Sequence, residues 1–269
     1  MKHPLLRPFS VVTLNIWNRG DPWDERLPLI REGLGALQPD VVALQEVLRI
    51  DEHGFDQAAL IAEGLGYEVV YGYAPGNAYP FGNAILSRWP VLASDVTVLP
   101  RCDTDQHRCM VFAALASPYG TLPFVTTHLN WKLHEGHVRV AQIRAVVSRL
   151  TELSASCELP AVLAGDLNAE TDSDEIRYLR GYTGLGGECV YFNDCFAAAG
   201  DGSSGATYSC KNPYAAVCYE PDRRIDYVFV RGPDERFMGV PLEARVCFDE
   251  PVNGVWPSDH FGVWARIGV

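Results

Sequence analysis

Seven short motifs close or interrupt apolar runs along this chain, each carrying a carboxylate, an amide or a histidine. In order they are Thr13-Leu14-Asn15, Gln45-Glu46-Val47, Gly82-Asn83-Ala84, Thr127-His128-Leu129, Gly165-Asp166-Leu167-Asn168, Arg224-Ile225-Asp226-Tyr227 and Ser258-Asp259-His260. Carboxylate and amide oxygens are what a hard divalent cation such as magnesium prefers. An acid that orients water and an imidazole that moves charge complete what hydrolysis of a phosphoester requires: neutralised phosphoryl oxygens, an aligned nucleophile and a stabilised leaving group.

Individual residues fit those parts unequally. Asn15 and Glu46 are oxygen ligands near the carboxyl ends of apolar runs, and a glutamate after Val41-Val42-Ala43-Leu44-Gln45 is costly to bury without a cationic partner. The ordinary fate of one such glutamate is a salt bridge. Asp166 and Asn168 are two apart and share a strand face if the strand continues, which suits a base beside a phosphoryl-holding amide. A simple Asp-x-Asn turn would look the same. Asp259 and His260 are adjacent, so one site can use both only if the chain turns irregularly after Pro257-Ser258. His260 suits charge stabilisation or proton transfer near neutral pH. Asp226 sits in a strongly apolar run and needs a fixed partner, either an imidazole or one of Arg223 and Arg224. His128 ends an apolar strand, where it could protonate or stabilise a leaving oxygen or serve structure alone. His134 and His137 lack the glutamate of the H-E-x-x-H pattern and are expected to cap or face solvent. His3, His53 and His107 carry no comparable signal.

Positioning these residues takes strands. Apolar runs bounded by turn residues predict strands over 10–16, 41–47, 68–73, 83–87, 108–116, 122–129, 161–167, 224–230, 242–248 and 261–267. Runs such as Ala161-Val162-Leu163-Ala164 are apolar at every position, as in strands covered on both faces. Helical periodicity is clearest over 137–153, with Arg139, Gln142, Arg144 and Arg149 expected mainly outside the apolar stripe. Further helices are predicted over 23–37, stopping before Pro39, and over 56–65, with shorter ones after Asp172 and Asn193. The segment 181–222 is the least regular and holds Tyr182, Tyr191, Tyr208, Tyr214 and Tyr219, which could stack a base, cover a lipid head group or merely fold over the core. The first and last motifs cooperate only within one fold, so residues 1–269 read as a single domain.

Composition narrows the classes. Lys+Arg 22 against Asp+Glu 34 gives a net charge of −12, which argues against a general nucleic-acid coat while allowing a nuclease with a local basic cleft. The cations are nearly all arginine, with lysine only at Lys2, Lys132 and Lys211. The opening residues show no secretory pattern and no run is long enough to span a bilayer, so a cytoplasmic protein with reduced cysteines is expected. Cys189, Cys195, Cys210 and Cys218 cluster, but not at structural-zinc spacings.

From Thr13 to Val263 these motifs together resemble the endonuclease/exonuclease/phosphatase superfamily, which shares the deoxyribonuclease-like fold. The resemblance implies a four-layer α/β sandwich: two packed, mainly antiparallel sheets flanked by helices. It implies a Mg²⁺ cofactor, with Mn²⁺ as the alternative, at Asn15 and Glu46 with Asp259 near or on the ion. Asp166 resembles the residue that orients or deprotonates water, and Asn168 a ligand of the scissile phosphate. His260 resembles the histidine that stabilises the transition state, with Asp226 as its carboxylate partner. His128 matches the Thr-His-Leu histidine of the deoxyribonuclease, sphingomyelinase and deadenylase branches, which counts against the abasic-site endonucleases. Arg108 is implied as a phosphate contact. The expected partner is a phosphoester substrate, with nucleic acid or nucleotide favoured over phospholipid or inositol phosphate. A binding module without turnover is the reading from a different class, and the survival of Glu46, Asp166, Asn168, Asp259 and His260 argues against it.

Overall fold

The computed structural model describes residues 6–77 and 79–269; His3 and Lys2 lie outside the described residues. β1 (Pro8–Asn15) leads to α1 (Trp23–Leu37), β2 (Val41–Ile50), β3 (Phe55–Asp56), α2 (Gln57–Ala62), β4 (Glu68–Gly72) and β5 (Phe81–Ser87). A meander of β6 (Val91–Val98), β7 (Cys109–Ser117) and β8 (Gly120–His128) then enters α3 (Gly136–Leu153) and β9 (Val162–Asp166). The remainder is α4 (Asp174–Leu179), β10 (Asn193–Asp194), α5 (Cys195–Ala199), α6 (Pro213–Ala216), β11 (Asp226–Val230), β12 (Val240–Cys247) and β13 (Gly262–Gly268).

The strands form two sheets. One runs β12-β13-β1-β2-β5-β4 with β3 against β2, and the other runs β10-β11-β9-β8-β7-β6. Only β1–β2 and β8–β9 pair in parallel among the described strands; the other pairs are antiparallel. Alternation along each strand builds the layers. Val11 of β1 and Val162 and Ala164 of β9 point into the core between the sheets. Val12 and Leu14 point the other way, against Ile30 and Leu34 of α1, while Leu163 faces Ile143 and Val146 of α3. Both faces are therefore covered, which is why these runs are apolar at every position. The result is the expected four-layer sandwich.

Several local details differ from expectation for identifiable reasons. β6 escapes sequence reading because it is an edge strand with largely solvent-facing residues, held by pairing to β7 rather than by an apolar run of its own. The helix expected over 56–65 ends at Ala62, ahead of the left-handed Gly64 and Gly66. The 181–222 segment is broken up by β10, α5 and α6. Arg139 and Gln142, expected outside the stripe of α3, are buried. Arg139 Nε donates to Glu175 Oε1 at 2.7 Å, and Gln142 both accepts from Asn130 N (3.1 Å) and donates to Asn130 Oδ1 (2.8 Å). These bonds tie α3 and α4 to the loop that follows His128, a demand helical periodicity does not register. His134 and His137 are exposed.

Gly165 sets the spacing of the parallel pair. A Cβ there would lie 2.1 Å from the carbonyl oxygen of Thr127 on β8. Gly165→Ala is expected to cost about 3 kcal/mol of unfolding free energy through this clash. A urea denaturation midpoint equal to that of the wild type would show that the strands are not held so closely.

Candidate active site

Strand direction delivers the motif residues to one place. β8 and β9 run parallel and end with His128 opposite Asp166, while antiparallel β11 begins with Asp226 opposite the same Asp166. In the other sheet β1 ends at Asn15, and β13 runs antiparallel to it, so the preceding Ser258-Asp259-His260 arrives beside Asn15. The sheets join across this end: Asn15 Nδ2 donates to Asp166 Oδ2 at 3.0 Å.

Glu46 reaches the site through a bulge. Gln45 pairs with Asn83 and Val47 with Gly82, which leaves Glu46 as the extra residue of β2 with a left-handed φ of 57°. Gln45 stays buried, accepting from Thr13 Oγ1 (3.2 Å) and donating across to Thr126 Oγ1 of the other sheet (2.9 Å). Glu46 instead accepts from Asn15 Nδ2 at 3.3 Å and is partly open to solvent. The break that Asp259 and His260 require is also present. Ser258 Oγ donates to the Asn15 carbonyl at 2.6 Å and accepts from His260 N at 3.2 Å, folding the tripeptide so that both side chains serve the site.

Asp166 is the hub. Its Oδ1 accepts from Asn168 N at 2.9 Å. Its Oδ2 accepts from Asn15 and lies 3.3 Å from His128 Nε2 and 3.8 Å from His260 Nε2. Asn168, with a left-handed φ of 49°, folds back so that its Nδ2 sits 2.9 Å from His128 Nε2. Burial, and then the charge of Asp226 opposite, push the Asp166 carboxyl up to about 6.

The two histidines beside Asp166 have opposite electrostatics. His260 Nδ1 is 3.0 Å from Asp226 Oδ2, so the imidazolium donates to a carboxylate. Burial opposes that charge, but Asp226, Asp259 and Asp166 outweigh it and hold His260 well above the usual histidine range. His128 is held well below that range by burial and by the charges of Arg108 and His260. His260 is therefore cationic and His128 neutral at neutral pH.

Residues outside the motifs hold the scaffold. Arg26, fully buried in α1, donates to the carbonyls of Ile16 (2.8 Å), Gly20 (2.9 Å), Asn18 (3.1 Å) and Pro257 (2.9 Å), clamping the loops after Asn15 and before Ser258 together. Thr207 Oγ1 accepts from Asp226 N at 3.1 Å, and the Thr207 carbonyl accepts from Phe261 N at 2.7 Å, linking the strands of the acid–histidine pair. Tyr208 packs its ring 5.0 Å from that of His260, and Tyr214 stacks on Trp17 at 4.9 Å. Nothing in the sequence marks Arg26 or Thr207, since their partners are backbone groups far along the chain.

Asn15, Glu46 and Asp259 suit a hard cation. All offer oxygen, and Glu46 and Asp259 are the partly exposed acids of the cluster. Burial, reinforced by Glu46, raises the Asp259 carboxyl to about 6; burial likewise raises Glu46. Anionic oxygens so placed gain from a nearby cation. Asp166, Asp226 and His260 also bring ligand atoms within 4.8 Å of one another, but there the imidazole already answers the carboxylate.

Buried acids around an amide, flanked by one charged and one neutral imidazole, meet at one end of the two-sheet sandwich. The chain belongs to the Endonuclease/Exonuclease/phosphatase family, whose profile matches residues 12–260. Among curated relatives, a Nocturnin from Xenopus laevis is 24% identical over 272 residues, covering 90% of this chain but 63% of that protein, so the chain spans less than two thirds of its relative. The solved human Nocturnin catalytic domain with bound sulfate is 20% identical with a TM-score of 0.73, covering 97% of this chain and 94% of that one. A humanized D. rerio TDP2 is 18% identical with a TM-score of 0.75, covering 97% and 99%. At these identities the solved structures speak for the fold.

The raised carboxyls set a pH dependence. Between about pH 4, where an unfolded aspartate loses its proton, and about 6, where Asp166 and Asp259 do, the folded apo-protein retains protons that the unfolded chain has released. These groups therefore cost stability increasingly as pH rises through that window, and the full cost applies above it. A bound cation offsets the cost only when the carboxyls are ionised. Magnesium is expected to raise the melting temperature clearly at pH 7.5 and little at pH 5; equal shifts at both would count against these ligands.

Proposed function

We propose that this chain is a Mg²⁺-dependent phosphodiesterase acting on nucleic acid or nucleotides, working as one catalytic domain, with Mn²⁺ as the alternative ion. The observation that carries the reading is the hub at Asp166: one carboxylate oxygen touched by the Asn15 amide and faced by both histidines. Asn15, Glu46 and Asp259 would hold the cation. When bound, it supplies positive charge to the phosphoryl oxygens.

The remaining roles belong to the side chains. Asp166, raised to about 6, is ionised at neutral pH yet basic enough to orient and take a proton from the attacking water. His260, kept cationic by Asp226, places positive charge where the phosphoryl group becomes most negative. The Asn168 amide holds a phosphoryl oxygen. His128, neutral, serves as a hydrogen-bond donor to the leaving oxygen rather than as a strong acid.

Aromatic surfaces support a nucleotide substrate. A cleft of about 660 Å³ opens beside Glu46, bordered by Trp17, Arg19, Asp21, Leu48 and Tyr79. Trp131, just after His128-Leu129-Asn130, is more than half exposed. Aromatic faces in such positions stack bases. No described helix is long and apolar enough to cross a membrane. Eight free cysteines suit a reducing compartment, which supports a cytoplasmic location.

The test is hydrolysis of oligonucleotides, dinucleotides, sphingomyelin and inositol phosphates with Mg²⁺, Mn²⁺ or excess chelator. Ion-dependent cleavage of the nucleotide substrates is expected, reduced about 10³-fold in Asp166→Ala. Preference for sphingomyelin or inositol phosphate would replace the substrate class, and full activity of Asp166→Ala would remove the assigned base. His260→Ala is expected to lose activity on a similar scale; wild-type turnover in the folded variant would sink its role.

A further inference from the structure

The two histidines flanking Asp166 differ in what faces their Nδ1 atoms: a carboxylate at His260, but a guanidinium at His128. Arg108 NH1 lies 3.1 Å from His128 Nδ1, and Arg108 NH2 donates to Gln106 Oε1 at 3.0 Å. Arg108 is itself buried, at 8% exposure, just ahead of β7. Each terminal nitrogen thus bonds within the protein, and little of the side chain reaches solvent.

We propose that Arg108 is a positioning residue that fixes the tautomer of His128, leaving the lone pair on Nδ1 and the proton on Nε2. The reason is elementary: a guanidinium has donors and no acceptor, so an imidazole nitrogen in hydrogen-bond contact with it must accept. The single proton of the neutral ring is then on Nε2, the nitrogen 3.3 Å from Asp166 Oδ2 and facing the reaction site. The other neighbour of Nε2 is Asn168 Nδ2 at 2.9 Å, itself a donor; with Nε2 protonated, Asn168 donates to the Leu129 carbonyl at 3.2 Å instead, and the Asp166 carboxylate is the acceptor left for the ring proton. Aspartate in place of Arg108 would select the opposite tautomer and favour the imidazolium, as Asp226 does at His260.

The surroundings brace Arg108 in this task. Gln106 Oε1 also accepts from Trp131 N at 3.4 Å, so the strap runs from the exposed Trp131 loop through Gln106 and Arg108 to His128. On the far side, Arg108 Nε and Asn83 Oδ1 are buried without hydrogen-bond partners among the described residues. Both residues border a cavity of about 10 Å³ next to His128. One water there would accept from the first and donate to the second, a space of about the minimum size for it. This gives Asn83 of the Gly82-Asn83-Ala84 motif its place.

The inference rests on the proposed role of His128 for its catalytic consequence, but its first test needs no substrate. Long-range ¹H–¹⁵N correlation spectra of histidine-labelled protein, with the signals assigned through His128→Gln, report which ring nitrogen is protonated. The wild type is expected to show His128 with protonated Nε2 and bare Nδ1 at pH 7. A ring protonated at Nδ1, or at both nitrogens, would overturn the proposal whatever the enzyme turns over. In Arg108→Met the tautomer preference is expected to relax. With bis-p-nitrophenyl phosphate and Mg²⁺, kcat should fall about 10- to 100-fold while KM stays within about two-fold. Arg108→Lys, which still donates, should recover part of the loss. A raised KM with unchanged kcat would make Arg108 a substrate ligand instead. If Arg108→Met does not fold, Gln106→Ala at a half-buried position is read the same way, with a smaller fall in kcat expected and an unchanged kcat counting against the strap.

Discussion

Two carboxylates stand side by side because strand register puts them there. Asp166 ends β9 directly opposite Asp226, which begins β11, and both are buried. Like charges in that relation repel, and burial removes the water that would screen them. Much of the site can be understood as the answer to this constraint. His260 meets Asp226 through Nδ1 and faces Asp166 through Nε2, Asn15 brings its amide from the other sheet, and the backbone of Asn168 donates to Asp166. What remains unanswered is the negative charge of Glu46 and Asp259 on the open side, which a divalent cation would complement.

The same hub ties the site to the integrity of the sandwich. Asn15 and Asp166 belong to different sheets, so their hydrogen bond is a contact between layers as well as between functional groups. Gln45 makes a second polar crossing one turn of the ladder away, to Thr126. Arg26 closes the rim by holding carbonyls from two loops that are distant in sequence. Buried polar groups of this kind are tolerated when satisfied and specify one arrangement of the layers. Histidine chemistry is then divided by surroundings: the carboxylate of Asp226 keeps one ring charged, while burial and the guanidinium of Arg108 keep the other neutral.

Much of this was legible in the residues themselves. Runs such as Val41-Val42-Ala43-Leu44 and Ala161-Val162-Leu163-Ala164 announce strands covered on both faces, and the structure covers them with α1, α2 and α3. Polar residues at the ends of those runs announce a site, since an unpaired buried carboxylate is too costly to be incidental. The need for an irregular turn at Ser258 was also readable, because adjacent side chains on a regular strand diverge. The edge strand β6 and the buried Arg139 were not, because neighbours in space rather than local periodicity hold them.

The sequence by itself determined which side chains are available for chemistry, the strand ends that carry them, and the family to which that order of motifs belongs. Tertiary structure alone decided their electrical state and company. The bulge that turns Glu46 toward Asn15, the arginine behind His128 and the threonine joining the Asp226 and His260 strands are all contacts between residues far apart in the chain. Charge, protonation and tautomer depend on distances of a few ångströms and on the exclusion of water. Only the packed sheets set those quantities.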